Sequence, residues 1–315
     1  TFEIGTGHPR MQDIADNQDA GAAEIADFFL DGKRVQQRLG RVGVKPVAGI
    51  GKESRARLSA IMRRTKGTLS VGQASEILEL PPDKAAKLLA WWTEKGWLSR
   101  VQRGLYIFVP LEARSSDIAL EDPWIVAERL FSPCYIGGWS AAEYWELTEQ
   151  IFRTILVFTT RSLPNRKPVI KGTAFRVRTI SEKALFGMQA AWRGQVKVNV
   201  SDPSRTVLDM FNDPSMGGGL RPSVDVLRQY MTSKNKNMGL LMDYAGRLGN
   251  GAVFKRLGFI LERLFPEELD AIAVCRVRMT KGKVKLDPSL AADNLMTAWQ
   301  LWVPSAWAKK GLKLD

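Results

Sequence analysis

Between residues 53 and 110, glycine and proline fall so often that only short elements can form. Gly67, Pro81-Pro82, Gly96, Gly104 and Pro110 cut this stretch into five pieces. Proline removes a backbone donor and glycine weakens a helix or strand interior, so each break ends an element. Residues 53–66 place Leu58, Ile61 and Met62 on one helical face with arginines elsewhere, and Gly67 suits a C-cap. Residues 68–71 form a short extended piece. Residues 72–80 predict a second helix with Ala74, Ile77 and Leu78 facing in. Pro82 opens a third helix over 82–95, which buries Ala85, Leu88, Leu89 and Trp92 and stops at Gly96. Residues 97–101 and 105–109 are β-rich and joined through Gln102-Arg103-Gly104, which predicts a hairpin.

Three helices followed by a hairpin is the order of a winged helix-turn-helix, whose third helix enters the major groove. The charge distribution agrees. The chain carries a net +13, and residues 33–110 hold sixteen basic side chains against five acidic ones. Residues 1–32 hold one against seven, and residues 111–315 hold 29 against 21. A concentrated positive block fits a polyanion partner, here double-stranded DNA, although a solvated basic face has the same composition. Lys84 and Lys87 are neighbours on the third helix, and Arg100, Gln102 and Arg103 surround the tip of the wing. Arg63, Arg64 and Lys66 close the first helix. These eight residues are the candidate DNA contacts.

The expected fold class is mixed α/β (α+β), with the winged helix at 53–112 and a larger mixed α/β domain at 113–315. Residues 1–52 read as an N-terminal extension and linker. They hold a short helix over 22–39, a Gly- and Pro-interrupted linker over 40–51, and Met11 as the natural start after a processing remnant. Within 113–315 the patterning predicts helices over 122–131, 139–147, 203–211, 224–231, 238–248, 252–264 and 267–273. Strands are expected over 150–160, 169–180, 195–200, 275–279 and 283–286. Trp139, Trp145 and Trp192 are expected in the core. Trp299, Trp302 and Trp307 either pack back on the domain or offer a partner surface. No run of about 18 apolar residues could span a membrane, and Cys134 and Cys275 lack metal-type spacing. They suit a reduced cytoplasm as ordinary buried thiols.

Several phrases resemble the AbiEi antitoxin family. Lys95-Gly96-Trp97-Leu98 with Arg103-Gly104-Leu105-Tyr106 looks like the end of its winged helix. Tyr135-Ile136-Gly137-Gly138-Trp139-Ser140-Ala141-Ala142 and Leu147-Thr148-Glu149-Gln150 are similar to the start of its second domain. Asp202-Pro203-Ser204-Arg205-Thr206-Val207-Leu208-Asp209 and Lys255-Arg256-Leu257-Gly258-Phe259-Ile260-Leu261-Glu262 match two further phrases. The likeness runs over about residues 53–265. It implies an antitoxin encoded beside a nucleotidyltransferase-like toxin in phage-defence or mobile-element operons, with the winged helix repressing the shared promoter. It also implies a type IV mode, in which the toxin is countered without a stable complex. Residues 1–52 and the Trp-rich tail inherit nothing from it. The alternative is a DNA-binding regulator of a mobile-element or phage-defence pathway without a toxin partner.

Residues for familiar enzyme chemistry are sparse, so neither catalysis nor a cofactor is expected. The one histidine is His8, and no GxxxxGK[ST] loop occurs. Gly217-Gly218-Gly219 precedes Leu220-Arg221-Pro222 and reads as a loop between helices. Asp31-Gly32-Lys33 is an acidic-x-Lys triplet in a poor context for a nuclease. Asp202, Arg205 and Asp209 form the best polar constellation. At a helix start they make either an ion-pair set or a surface that senses a nucleotide or the toxin.

Overall fold

Each break in the 53–110 pattern becomes an element boundary in the structure, a computed structural model that describes residues 49–110, 120 and 122–308. The expectations for residues 1–48, including the 22–39 helix, lie outside the described residues. Helix α1 (Lys52–Arg64) is followed by strand β1 (Leu69–Ser70) and helix α2 (Val71–Leu78). Ser70 caps α2 reciprocally: its Oγ accepts from the Gln73 N–H at 3.2 Å while Gln73 Oε1 accepts from the Ser70 N–H at 3.0 Å. Helix α3 (Pro82–Glu94) starts on its proline, and β2 (Leu98–Gln102) and β3 (Leu105–Phe108) form an antiparallel hairpin. β1 pairs with β3, giving the sheet order β1-β3-β2 of a winged helix-turn-helix. Ile61, Leu69, Ala74, Leu89, Trp92 and Tyr106 fill its core. Met62 is 53% exposed rather than inward, because Ile61 takes the core-facing position beside it.

The second part is built on a six-stranded mixed sheet in the order β6-β7-β5-β4-β9-β8. Its strands are β4 (Cys134–Ile136), β5 (Thr154–Thr159), β6 (Val169–Ile170), β7 (Thr173–Thr179), β8 (Met188–Arg193) and β9 (Val196–Ser201). The pairs β5–β7 and β4–β9 are parallel and the others antiparallel. Helix α4 (Pro123–Phe131) covers one face, bringing Trp124, Val126, Leu130 and Phe131 against Val157, Phe175, Val177 and Val198. Leu105 and Ile107 of β3 join this second core, whereas Tyr106 between them points into the first. A strand side chain alternates between faces, so β3 is buried by both cores at once. Residues 46–315 accordingly form one compact unit.

The opposite face carries helix α5 (Gly138–Tyr144) and a helical layer: α6 (Pro203–Asn212), α7 (Leu220–Thr232), α8 (Met238–Leu248), α9 (Gly251–Leu264) and α10 (Leu269–Arg278). Gly138 has no room for a side chain; a Cβ there would sit 2.2 Å from Leu156 Cδ2 and 2.4 Å from the Met216 carbonyl oxygen. A small sheet, β10 (Val284–Lys285), β12 (Leu301–Val303) and β11 (Asn294–Met296), and the short α11 (Ser305–Ala308) close the described chain. Trp299 and Trp307 are buried in the helical core, so these two tail tryptophans pack back on the protein. Among the described residues no helix is long and apolar enough to cross a membrane. Both cysteines are free and buried.

Two sequence expectations fail here for physical reasons, and one strand goes unpredicted. The expected strand at 275–279 is helical through Arg278, because Ala271, Ile272 and Cys275 bury with helical spacing. Strand β8 goes unread from sequence since it is an edge strand without clean alternation. Trp192 on β8 is 67% exposed, not core.

Asp202, Arg205 and Asp209 do not form a surface. Arg205 and Asp209 are each 1% exposed and Asp202 is 6% exposed. Arg205 Nε donates to Asp209 Oδ1 at 2.9 Å, and the Tyr135 hydroxyl donates to Asp209 Oδ2 at 2.9 Å. Arg205 Nη2 donates to the Tyr135 hydroxyl oxygen at 3.0 Å. Asp202 caps α6 by accepting the Arg205 N–H at 2.8 Å and also accepts the Tyr244 hydroxyl at 2.9 Å. The apolar stripe of α6 turns these side chains inward, where burial pushes both carboxyls up against the pull of their donors. Replacing one member leaves a buried charge without its partner. Arg205→Met should therefore cost about 3–5 kcal/mol of stability, read from the urea midpoint of the full chain.

Candidate nucleic-acid interface

Helix α3 presents one face to its own core and the other to solvent. Ala85, Leu89 and Trp92 are buried, while Lys84, Lys87 and Trp91 are exposed at i, i+3 and i+7. Trp91 packs edge-on to Trp97 with ring centroids 5.3 Å apart, and the Lys95 ammonium lies 5.8 Å above its ring. Lys84 is two residues into the helix, where the unpaired N–H groups of the first turn add a field that favours phosphate. Trp91 was missing from the sequence-based candidates, although its spacing from Lys84 and Lys87 already places it on their face.

The wing is short. Gln102 and Leu105 pair across a two-residue turn, Arg103-Gly104, and the register shifts between Arg100 and Gln102. Gly104 has φ +79, and its carbonyl accepts the Val71 N–H at 3.2 Å, which ties the tip to the start of α2. Arg100, Gln102 and Arg103 are exposed around this turn. Arg100 Nε donates to the Gln102 carbonyl at 3.4 Å.

Three cations at the end of α1 form the third group. Arg63, Arg64 and Lys66 are all exposed, but Lys66 Nζ donates to the Gln195 carbonyl in the β8–β9 turn at 3.1 Å. Arg63 and Lys66 line a cleft of about 950 Å³ shared with Ile125 of α4 and with Arg193 and Gln195. Among the described residues neither α3 nor the Arg103-Gly104 turn lines it. The eight candidates thus fall into a helix pair, a wing trio and a group at the end of α1, of which Arg63 and Lys66 line the cleft. Arg57, further along α1, pairs with Glu53 at 2.7 Å.

Residues 57–109 match a family model described as transcriptional regulator, AbiEi antitoxin. Over that segment the chain is similar to the AbiEi regulators. No curated protein matches the chain. The AbiEi match runs from within α1 to the residue after β3, so all eight candidate DNA contacts lie inside it. The phrases at 135–150, 202–209 and 255–262 lie beyond it.

The wing tip turns through the left-handed region at Gly104. A β-branched side chain at φ +79 is strained whatever space surrounds it. Gly104→Val should cost about 1–3 kcal/mol, visible as a lowered urea midpoint of the full-length protein.

Proposed function

We propose that the chain is a DNA-binding antitoxin that represses its own operon and counters a nucleotidyltransferase-like toxin, without a stable complex between them. One observation carries this reading. The AbiEi match coincides with a winged helix whose third helix and wing hold Lys84, Lys87, Arg100 and Arg103 at exposed positions. In this assignment α3 reads base edges in the major groove and the wing grips the sugar-phosphate backbone. The part beyond residue 112 supplies the antitoxin action. The AbiEi match ends at Val109, which keeps open the second reading of a DNA-binding regulator without a toxin partner. A nucleotidyltransferase gene directly beside this one selects the first.

The proposal assigns no catalytic step. Burial pushes the Cys275 thiol up to about 12 and the Cys134 thiol higher still, which suits inert packing rather than nucleophilic work. Purified protein should show no nuclease or nucleotidyl-transfer turnover with Mg²⁺, Mn²⁺ or Zn²⁺. Metal-dependent turnover lost in Asp209→Asn would reverse this assignment.

Binding measurements separate the two roles within the winged helix. Arg103→Ala should weaken operator and scrambled duplex by similar factors and make the slope of log K against log salt shallower by about one. Replacing Lys84 or Lys87, where that side chain reads a base, should cost about 1–3 kcal/mol on the operator and spare scrambled DNA. Unchanged DNA binding after replacement of Lys84, Lys87, Arg100 and Arg103 together would remove the winged helix as the DNA reader.

A further inference from the structure

A second concentration of positive charge lies in the larger sheet. Residues 151–201 build five of its six strands and carry ten basic side chains against one acidic one, Glu182. The described winged-helix residues 49–110 carry eleven against five, so the sheet is the more one-sided of the two. Part of this charge is used internally. Arg178 pairs with Asp213 at 2.7 Å and Arg193 with Asp122 at 2.8 Å. Arg176 donates to Ser215, and Arg161 to the Leu130 carbonyl.

Arg153, Arg166, Lys167 and Lys183 remain exposed, and among the described residues no carboxylate pairs with them. Their backbone is held in place. The Val177 N–H donates to the Arg166 carbonyl at 2.8 Å, and the Phe175 N–H donates to the Pro168 carbonyl at 2.9 Å. Arg166 and Lys167 therefore border the outer side of β7. Arg153 precedes β5, whose Thr154 lies opposite Ala174 at the start of β7, and Lys183 follows the far end of β7. The cations thus mark both ends and the middle of a seven-residue strand, a border of roughly 20 Å. A face built for solubility mixes both signs; four exposed cations without a carboxylate partner along one strand border are the pattern of a polyanion contact.

We propose that this β6–β7 border is a second contact for duplex DNA, gripping phosphates beyond the site read by the winged helix. The inference rests on the DNA-binding reading above. Duplex DNA is the favoured partner because the two basic regions belong to one compact unit, with β3 of the winged helix packed into the core of the larger sheet. The border lies at the opposite edge of the sheet from β8, whose turn meets Lys66. Five strand spacings separate the edges, about 24 Å, so the two contacts reach different phosphates. Duplex DNA offers one charge per about 1.7 Å of axis, dense enough for all four side chains.

The test uses full-length protein and DNA from upstream of its own reading frame, titrated at several salt concentrations. One duplex covers only the winged-helix site, and a second extends it by about one helical turn on each side. Wild type should bind the long duplex more tightly, with a salt slope steeper by about 0.9 for each added phosphate. The double variant Arg166→Ala/Lys167→Ala should lose that gain, flatten the slope by about two and bind the short duplex unchanged. Arg153→Ala/Lys183→Ala should act in the same direction, so the result does not hang on the folding of one variant. Equal wild-type affinity and slope on both duplexes overturns the proposal, as does an equal loss on both by the variants. Variants that keep the long-duplex gain but lose binding to a structured RNA assign the border to RNA and also overturn it. Failure of wild type on the short duplex, with a border-dependent gain on the long one, instead sinks the winged-helix reading and leaves this one standing.

Discussion

Strand β3 buries side chains on both of its faces. Leu105 and Ile107 enter the core beneath α4 while Tyr106 enters the core of the winged helix, and all three are buried. Covering both faces of so short a strand requires two hydrophobic layers in register with its pleat. That requirement fixes the hairpin against α4 and sets the β8–β9 turn where Lys66 can reach it. The position of the wing follows from packing rather than from a flexible joint, so the candidate DNA contacts at its tip are carried by a strand buried in both cores.

Local chemistry made the winged helix readable. Glycine and proline marked its boundaries, and the helical period of Ala85, Leu89 and Trp92 assigned the inner face of α3 without tertiary information. Met238–Leu248 was legible for the same reason, with Asn237 capping one end and Gly249 in the left-handed region at the other. What stayed hidden depended on distant partners. The outward turn of Met62 is decided by Ile61 filling the core, and the edge position of β8 is decided by strand order. Neither is written in a short window.

The candidate site divides along the same line. Residue type and spacing suffice to nominate Lys84, Lys87, Arg100 and Arg103, whose exposure is a local property of helix and turn. They do not suffice for Lys66, whose ammonium is drawn to a carbonyl 129 positions away. The basic sheet was equally out of reach. Its ten cations were diluted by near-neutral helices when residues 111–315 were counted together, and they separate out only once the strands are grouped.

Tyr135, Arg205 and Asp209 are joined so that each satisfies the other two. Losing any one strands a buried polar group, whereas exchanging all three for apolar side chains of similar volume strands none. Every single step from the first arrangement to the second passes through a form less stable than either end. A lineage that has acquired the trio is therefore held to it by the lack of a gradual exit, whatever the set contributes to stability as a whole. The three positions should be inherited together or abandoned together.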